Sequence, residues 1–149
     1  LAHRMTSLSV FYRYYPNTED MVLSDVSEEA FAALALISAI GRNQDTLLAE
    51  ERVVLLDFLA AVRTALNVPQ NVAQDTEVLS ILELWQPSAQ ALQECASELY
   101  QHPHASRLFP QFFASMAVAN GLPDEHQRLM IGRVQSALRL ATKKQGSDA

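Results

Sequence analysis

Between residues 30 and 40 the chain carries its longest apolar stretch, with Glu28 and Glu29 before it and Gly41-Arg42 after it. The stretch is too short to cross a bilayer, which takes about 20 apolar residues. Within it Phe31, Leu34, Ala35, Ile37 and Ser38 recur at roughly helical spacing. A helix that is apolar nearly all round has to be enclosed by other elements. The segment is therefore expected to be a central helix around which the rest of the chain folds. Ser27 is its predicted N-cap, with the two glutamates in the first turn, where acids complement the helix dipole. Gly41 and the polar residues 42–46 are its predicted stop.

The remaining sequence supplies what would enclose it. Over 48–66, Leu55, Leu59, Val62 and Leu66 share one helical face, Glu50 and Glu51 sit in the first turn, and Asn67 and Pro69 end the run. After a polar loop at 70–74, Asp75 or Thr76 is the expected cap of a shorter helix carrying Val78, Leu79, Leu82 and Trp85. Pro87, read as a first-turn residue, opens a helix with Ala91, Leu92, Cys95 and Leu99. His102-Pro103-His104 is expected to break it. Phe109, Phe112, Phe113, Met116 and Ala117 continue helically with Pro110 in the first turn, and Asn120-Gly121 is a turn. Pro123, Asp124 and Glu125 start a last long helix with Leu129, Met130, Val134, Leu138 and Ala141, closed by Lys143 and Lys144. Five of the six prolines fall at these breaks or near helix starts, and Pro16 lies in the N-terminal segment. The expectation is all-α: a compact bundle of about six to seven helices over residues 27–142. Residues 1–26 read as an N-terminal arm, of which 1–4 precede Met5 and are set aside as an upstream remnant, and 143–149 read as a frayed tail. The aromatic run Phe11-Tyr12-Arg13-Tyr14-Tyr15 has no second strand to pair with. It is either packed on the domain, an interaction patch, or exchanged between the subunits of a homodimer.

At 149 residues the chain is one ordinary domain, and an apolar fraction of 49% is ample for a core. A net charge of −6 is a poor match to phosphate backbones, which disfavours nucleic acid as a partner. The one cysteine, Cys95, excludes an intramolecular disulfide. With no leader or spanning segment recognised, the expected location is the cytoplasm, without membrane insertion.

No catalytic constellation stands out. Four scattered glycines make no phosphate loop. Glu50 and Glu51 are neighbours on a helix and point in different directions, so they make a poor acid/base dyad. Cys95 lies in an apolar helical stripe, where a buried structural thiol is expected. His102 and His104, with Glu98 one turn upstream, form either a transition-metal site or a helix-breaking loop. Phe109, Phe112, Phe113 and Met116 line either an apolar ligand pocket or simply the core. Arg128, Arg133 and Arg139 with Lys143 and Lys144 give the last helix a basic face, for an acidic partner, an anionic membrane surface or solvent. The expectation is a non-enzyme without an obligatory cofactor, working with a protein partner.

Two regions share one pattern of apolar helix, short polar turn, acidic helix start and apolar helix. An offset of 75 residues places Leu47 on Leu122, Glu50 on Glu125, Val54 on Leu129, Leu55 on Met130 and Leu59 on Val134. This points to two helical hairpins related by a pseudo-twofold. On the turns Gln44-Asp45-Thr46-Leu47-Leu48-Ala49-Glu50-Glu51 and Asn120-Gly121-Leu122-Pro123-Asp124-Glu125-His126, residues 27–142 resemble the TerB-like domain family, named for tellurite-resistance protein B. The family's turns read approximately Asp-Gly-x-Ile/Leu with a Glu soon after. Here Gln44 and Asp45 stand for the first Asp-Gly, Asn120 for the second Asp, and His126 where a Glu is expected. The resemblance implies a stress-response role and a divalent-cation site, with Asp45, Glu50, Glu51, Asp124 and Glu125 as its ligands.

Overall fold

A computed structural model describes residues 25–43, 46–83 and 87–148, and among them there are six helices and no strand. They are α1 (Asp25–Ser38), α2 (Ala49–Leu66), α3 (Val72–Leu82), α4 (Ala89–Leu99), α5 (Pro103–Ala117) and α6 (Glu125–Asp148). The aromatic arm, Asp45 and Trp85 lie outside the described residues.

The apolar stretch does form the centre. Every residue from 30 to 37 is buried, and α1 packs against α2, α3, α4 and α5. On the flanks, α2 packs on α5 and α3, and α4 packs on α6. Leu55, Leu59 and Val62 face the core as their spacing predicts, joined by the fully buried Phe58. Phe58 meets Phe112 edge-on at 5.3 Å between ring centres, which ties α2 to α5. On α6 the inward face is Met130, Val134, Ala137 and Ala141. Leu129, expected among them, is 53% exposed, because its neighbour Met130 takes the core position and Leu129 falls about 100° round the helix.

Several helix ends differ from expectation, each for a local reason. α1 already includes Asp25, so Ser27 lies within its first turn and does not cap it. The N-cap of α3 is Asn71, whose side chain accepts from the Gln74 amide at 3.1 Å. Asp75 is instead a buried partner of Arg63. Ser88 caps α4 by accepting from the Ala91 amide at 3.1 Å, one residue after Pro87. In the His-Pro-His segment, Pro103 begins a helix: it takes the first position of α5, where the missing N–H is no loss. Pro110 then falls inside α5 instead of its first turn. The Ser106 carbonyl loses its usual donor there, while Phe109, Phe112 and Phe113 on either side of the proline pack on the core. α6 runs to Asp148, past the lysine pair expected to close it; lysine is a good helix former and does not stop a helix.

The α2–α3 corner is fixed by a buried ion pair. The Arg63 guanidinium donates through Nη2 and Nε to Asp75 at 2.7 and 3.1 Å, through Nη1 to the Pro69 carbonyl at 2.9 Å, and through Nη2 to Gln74 Oε1 at 2.8 Å. Asn67 turns the chain with φ +62°, and its amide and that of Val68 close the end of α2. Removing one partner of such a pair leaves a buried charge uncompensated. Asp75→Asn is therefore expected to lower the unfolding free energy by about 3–5 kcal/mol in urea titration followed by circular dichroism, and the double change Arg63→Met/Asp75→Leu to recover most of that loss.

Candidate functional site

The two turns flagged in the sequence meet in space, and Glu51 joins them. Glu51 is the third residue of α2 and is fully buried. Its carboxylate accepts from the Leu48 amide at 2.9 Å, from the Arg42 amide at 2.6 Å and from Asn120 Nδ2 at 3.0 Å. The first bond closes the start of α2, the second holds the turn after α1, and the third reaches the turn before α6. A side chain on Gly41 would come within 3.2 and 3.3 Å of the two carboxylate oxygens, so glycine is what lets the acid sit this close to the backbone.

The second turn answers in kind. Asp124 caps α6 by accepting from the Gln127 amide at 2.8 Å, while Gln127 Oε1 accepts from the Asp124 amide at 3.2 Å, a reciprocal capping box. The same Gln127 donates to the Ile40 carbonyl at 3.3 Å and accepts from Arg42 Nε at 3.2 Å. Arg42 also donates to the Leu122 carbonyl at 2.8 Å and lies 3.8 Å from Asp124. Gly121 has φ +97°, the left-handed conformation that the turn needs. Glu51 and Gln127 thus hold matching places, each the third residue of the helix after its turn and one residue off the 75-residue register, but α6 packs on α4 and not back on α5, so the second turn does not close the helical hairpin expected there.

Of the five acids implied as cation ligands, Asp45 is outside the described residues. Glu50 and Glu125 are exposed, Glu51 is committed to its three donors, and Asp124 is half-exposed beside Arg42. The positive charge between the turns is the Arg42 guanidinium. His102 and His104 part company: His102 is half-buried against Glu29 and Glu98, at 3.7 and 3.8 Å, and His104 faces Arg107 at 3.5 Å. Among the described residues no three His, Cys, Asp or Glu side chains gather as a metal ion requires. Phe109 and Met116 are buried, Phe112 and Phe113 are half-buried against them, and Phe109 stacks on Phe113 at 5.2 Å, so the quartet packs the core.

The His102 cluster is a second polar knot, at the opposite ends of α1 and α4. Glu29 of α1 accepts from the Ala105 amide at 2.9 Å and so caps α5 from outside. The Glu98 carboxylate facing the imidazole raises the His102 pKa most. Burial works against this, and Glu29, Glu98 and Glu28 add to it through their charge. Cys95, also on α4, is fully buried. Burial first, then the nearby Glu94 and Glu98, push its thiol pKa far above the ordinary range.

On the outer side, α4 and α6 frame a groove of about 510 Å³. Leu92 lies in its floor, Leu129 and Leu140 stand at its rim, and Arg128, Arg133 and Arg139 line it. Sequence reading found the three arginines but not the groove. It also passed over Gln127 and Arg42 in the clasp, although the Asp124-x-x-Gln127 spacing carries a capping-box signal.

Compared with known proteins, the chain matches no family model, and neither a curated protein nor a solved structure matches it.

Glu51→Ala strands three donors at once. It is expected to cost about 3 kcal/mol or more of unfolding free energy, with Glu51→Gln milder, both read by chemical denaturation. Folding raises the His102 pKa, so the stability it confers is complete below the unfolded value near 6.5 and fades as pH climbs through the folded one. The Tm gap between the native chain and His102→Gln is accordingly expected to be wider at about pH 5.5 than at about pH 8.5.

Proposed function

We propose that the chain is a non-enzymatic helical domain of TerB-like type, serving a bacterial stress response such as tellurite resistance in the cytoplasm through contacts with a protein partner. The observation that supports this reading best is the clasp. Two helix–turn–helix units begin their second helices with side-chain caps at Glu51 and Gln127, and each cap reaches into the other unit's turn. The two turns that it joins are those on which the sequence resemblance rests. The polar groups of the clasp are consumed in holding the turns together, which is architecture and leaves the outer surface as the working part.

A domain of this kind works without a resident small molecule. Native mass spectrometry of untagged protein, purified gently and without chelator, is expected to give the mass of the bare chain as monomer or homodimer. A divalent-cation mass that a chelator removes, or a larger non-protein mass, would replace the interaction reading with a metal-binding or ligand-binding one. Deleting the gene is expected to sensitise its host to tellurite, and unchanged growth on tellurite would remove that link.

A further inference from the structure

We propose that the groove between α4 and α6 is a docking site for an acidic amphipathic helix of a partner protein. The inference rests on the reading of the chain as a protein-interaction domain and names the surface and the partner's chemistry.

Charge is the first argument. The chain carries a net charge of −6, yet this groove is lined by Arg128, Arg133 and Arg139. None of the three meets a carboxylate among the described residues. Arg128 donates to the Pro123 carbonyl at 3.3 Å, Arg133 lies 3.7 Å from the Met130 sulfur, and Arg139 donates to Ser136 at 3.2 Å. These are weak neutral contacts for guanidinium groups, whose strongest partners are carboxylates held by two bonds. Arginines left unpaired in an acidic protein, all along one groove, select an acidic occupant.

Shape is the second argument. Leu129 and Leu140 are each 53% exposed at the groove rim. They lie eleven residues apart on α6, about 16 Å along the axis, which is three turns of a helix laid alongside. Gly132 sits between them, in the middle of α6, and a Cβ built there would meet nothing within 4 Å. Glycine inside a helix is unfavourable relative to alanine, and neither close packing nor a positive φ asks for it at this position. It keeps the groove open beside Ser136 and Leu92. A groove with Leu92 in its floor, leucines at its rim and arginines along it fits an amphipathic helix that presents leucine-like anchors inward and Asp or Glu along its edges.

The test is a titration of the full chain with two synthetic amphipathic helices of about four turns, identical in their leucines and flanked by glutamate in one and lysine in the other. The glutamate peptide is expected to bind in the micromolar range, at least tenfold tighter than the lysine peptide, more weakly as salt rises, and with amide NMR shifts centred on Leu129, Gly132 and Ser136. Arg133→Glu/Arg139→Glu should weaken it tenfold or more. Gly132→Leu should fill the groove with the same loss while keeping or raising Tm, which separates blocked binding from failed folding. No binding, equal binding of both peptides, or shifts elsewhere would overturn the proposal. So would self-association through this face in sedimentation, or binding to anionic phosphatidylglycerol vesicles without binding to the peptide. A bare native mass with no peptide binding would sink the groove alone; a bound non-protein mass would sink the interaction reading beneath it.

Discussion

The fold depends on one buried carboxylate. Moving an ionised acid out of water costs several kcal/mol unless donors converge on it, and the donors at Glu51 come from three separate places: the start of its own helix, the turn after α1 and the turn before α6. Satisfying the charge therefore fixes the relative position of two turns that lie far apart in sequence. Once they are fixed, α2 and α6 leave the clasp in set directions, and α6 is laid against α4. Gly41 is part of the same constraint, since any side chain there would crowd the carboxylate.

The other polar knots follow the same logic. Arg63 and Asp75 join the end of α2 to the start of α3, and Glu29, Glu98 and His102 join the start of α1, the end of α4 and the start of α5. Each knot lies where helices end, which is where backbone N–H and C=O groups lack partners. The helix middles are left to apolar packing around α1. This division gives the bundle a greasy centre that is tolerant in detail and polar corners that are specific, because a charge without its partner is far more costly than a methyl group out of place.

Much of the bundle could be read from pattern alone. The period of Leu55, Leu59 and Val62, and the enclosing role of residues 30–40, follow from burial of a stripe, and a stripe shows in sequence. The turn at Asn120-Gly121 showed because few residues accept its geometry. Helix starts were harder. Nearby acids and prolines are as well suited to a helix start as Asn71 and Ser88, so the cap is not decided by residue type alone. The buried charges were the least legible. Glu51, Arg63 and Asp75 are indistinguishable from surface charges until their partners are known, and those partners are brought in by the fold. Leu129 and Met130 are adjacent apolar residues, only one of two neighbours on a helix can face inward, and pattern alone does not choose between them. The rim of the groove is made of the apolar residue that the core does not take.

Cys95 is sealed beneath α4 with its thiol pKa raised by burial and by neighbouring acids. Only a thiolate reacts readily with electrophiles or disulfides, so in the native state this sulfur is chemically silent. It becomes reactive only when α4 lifts from the core, and the rate at which a thiol reagent labels it counts those openings. The molecule thus carries its own clock for local unfolding, set in the helix that also supplies one wall of the groove.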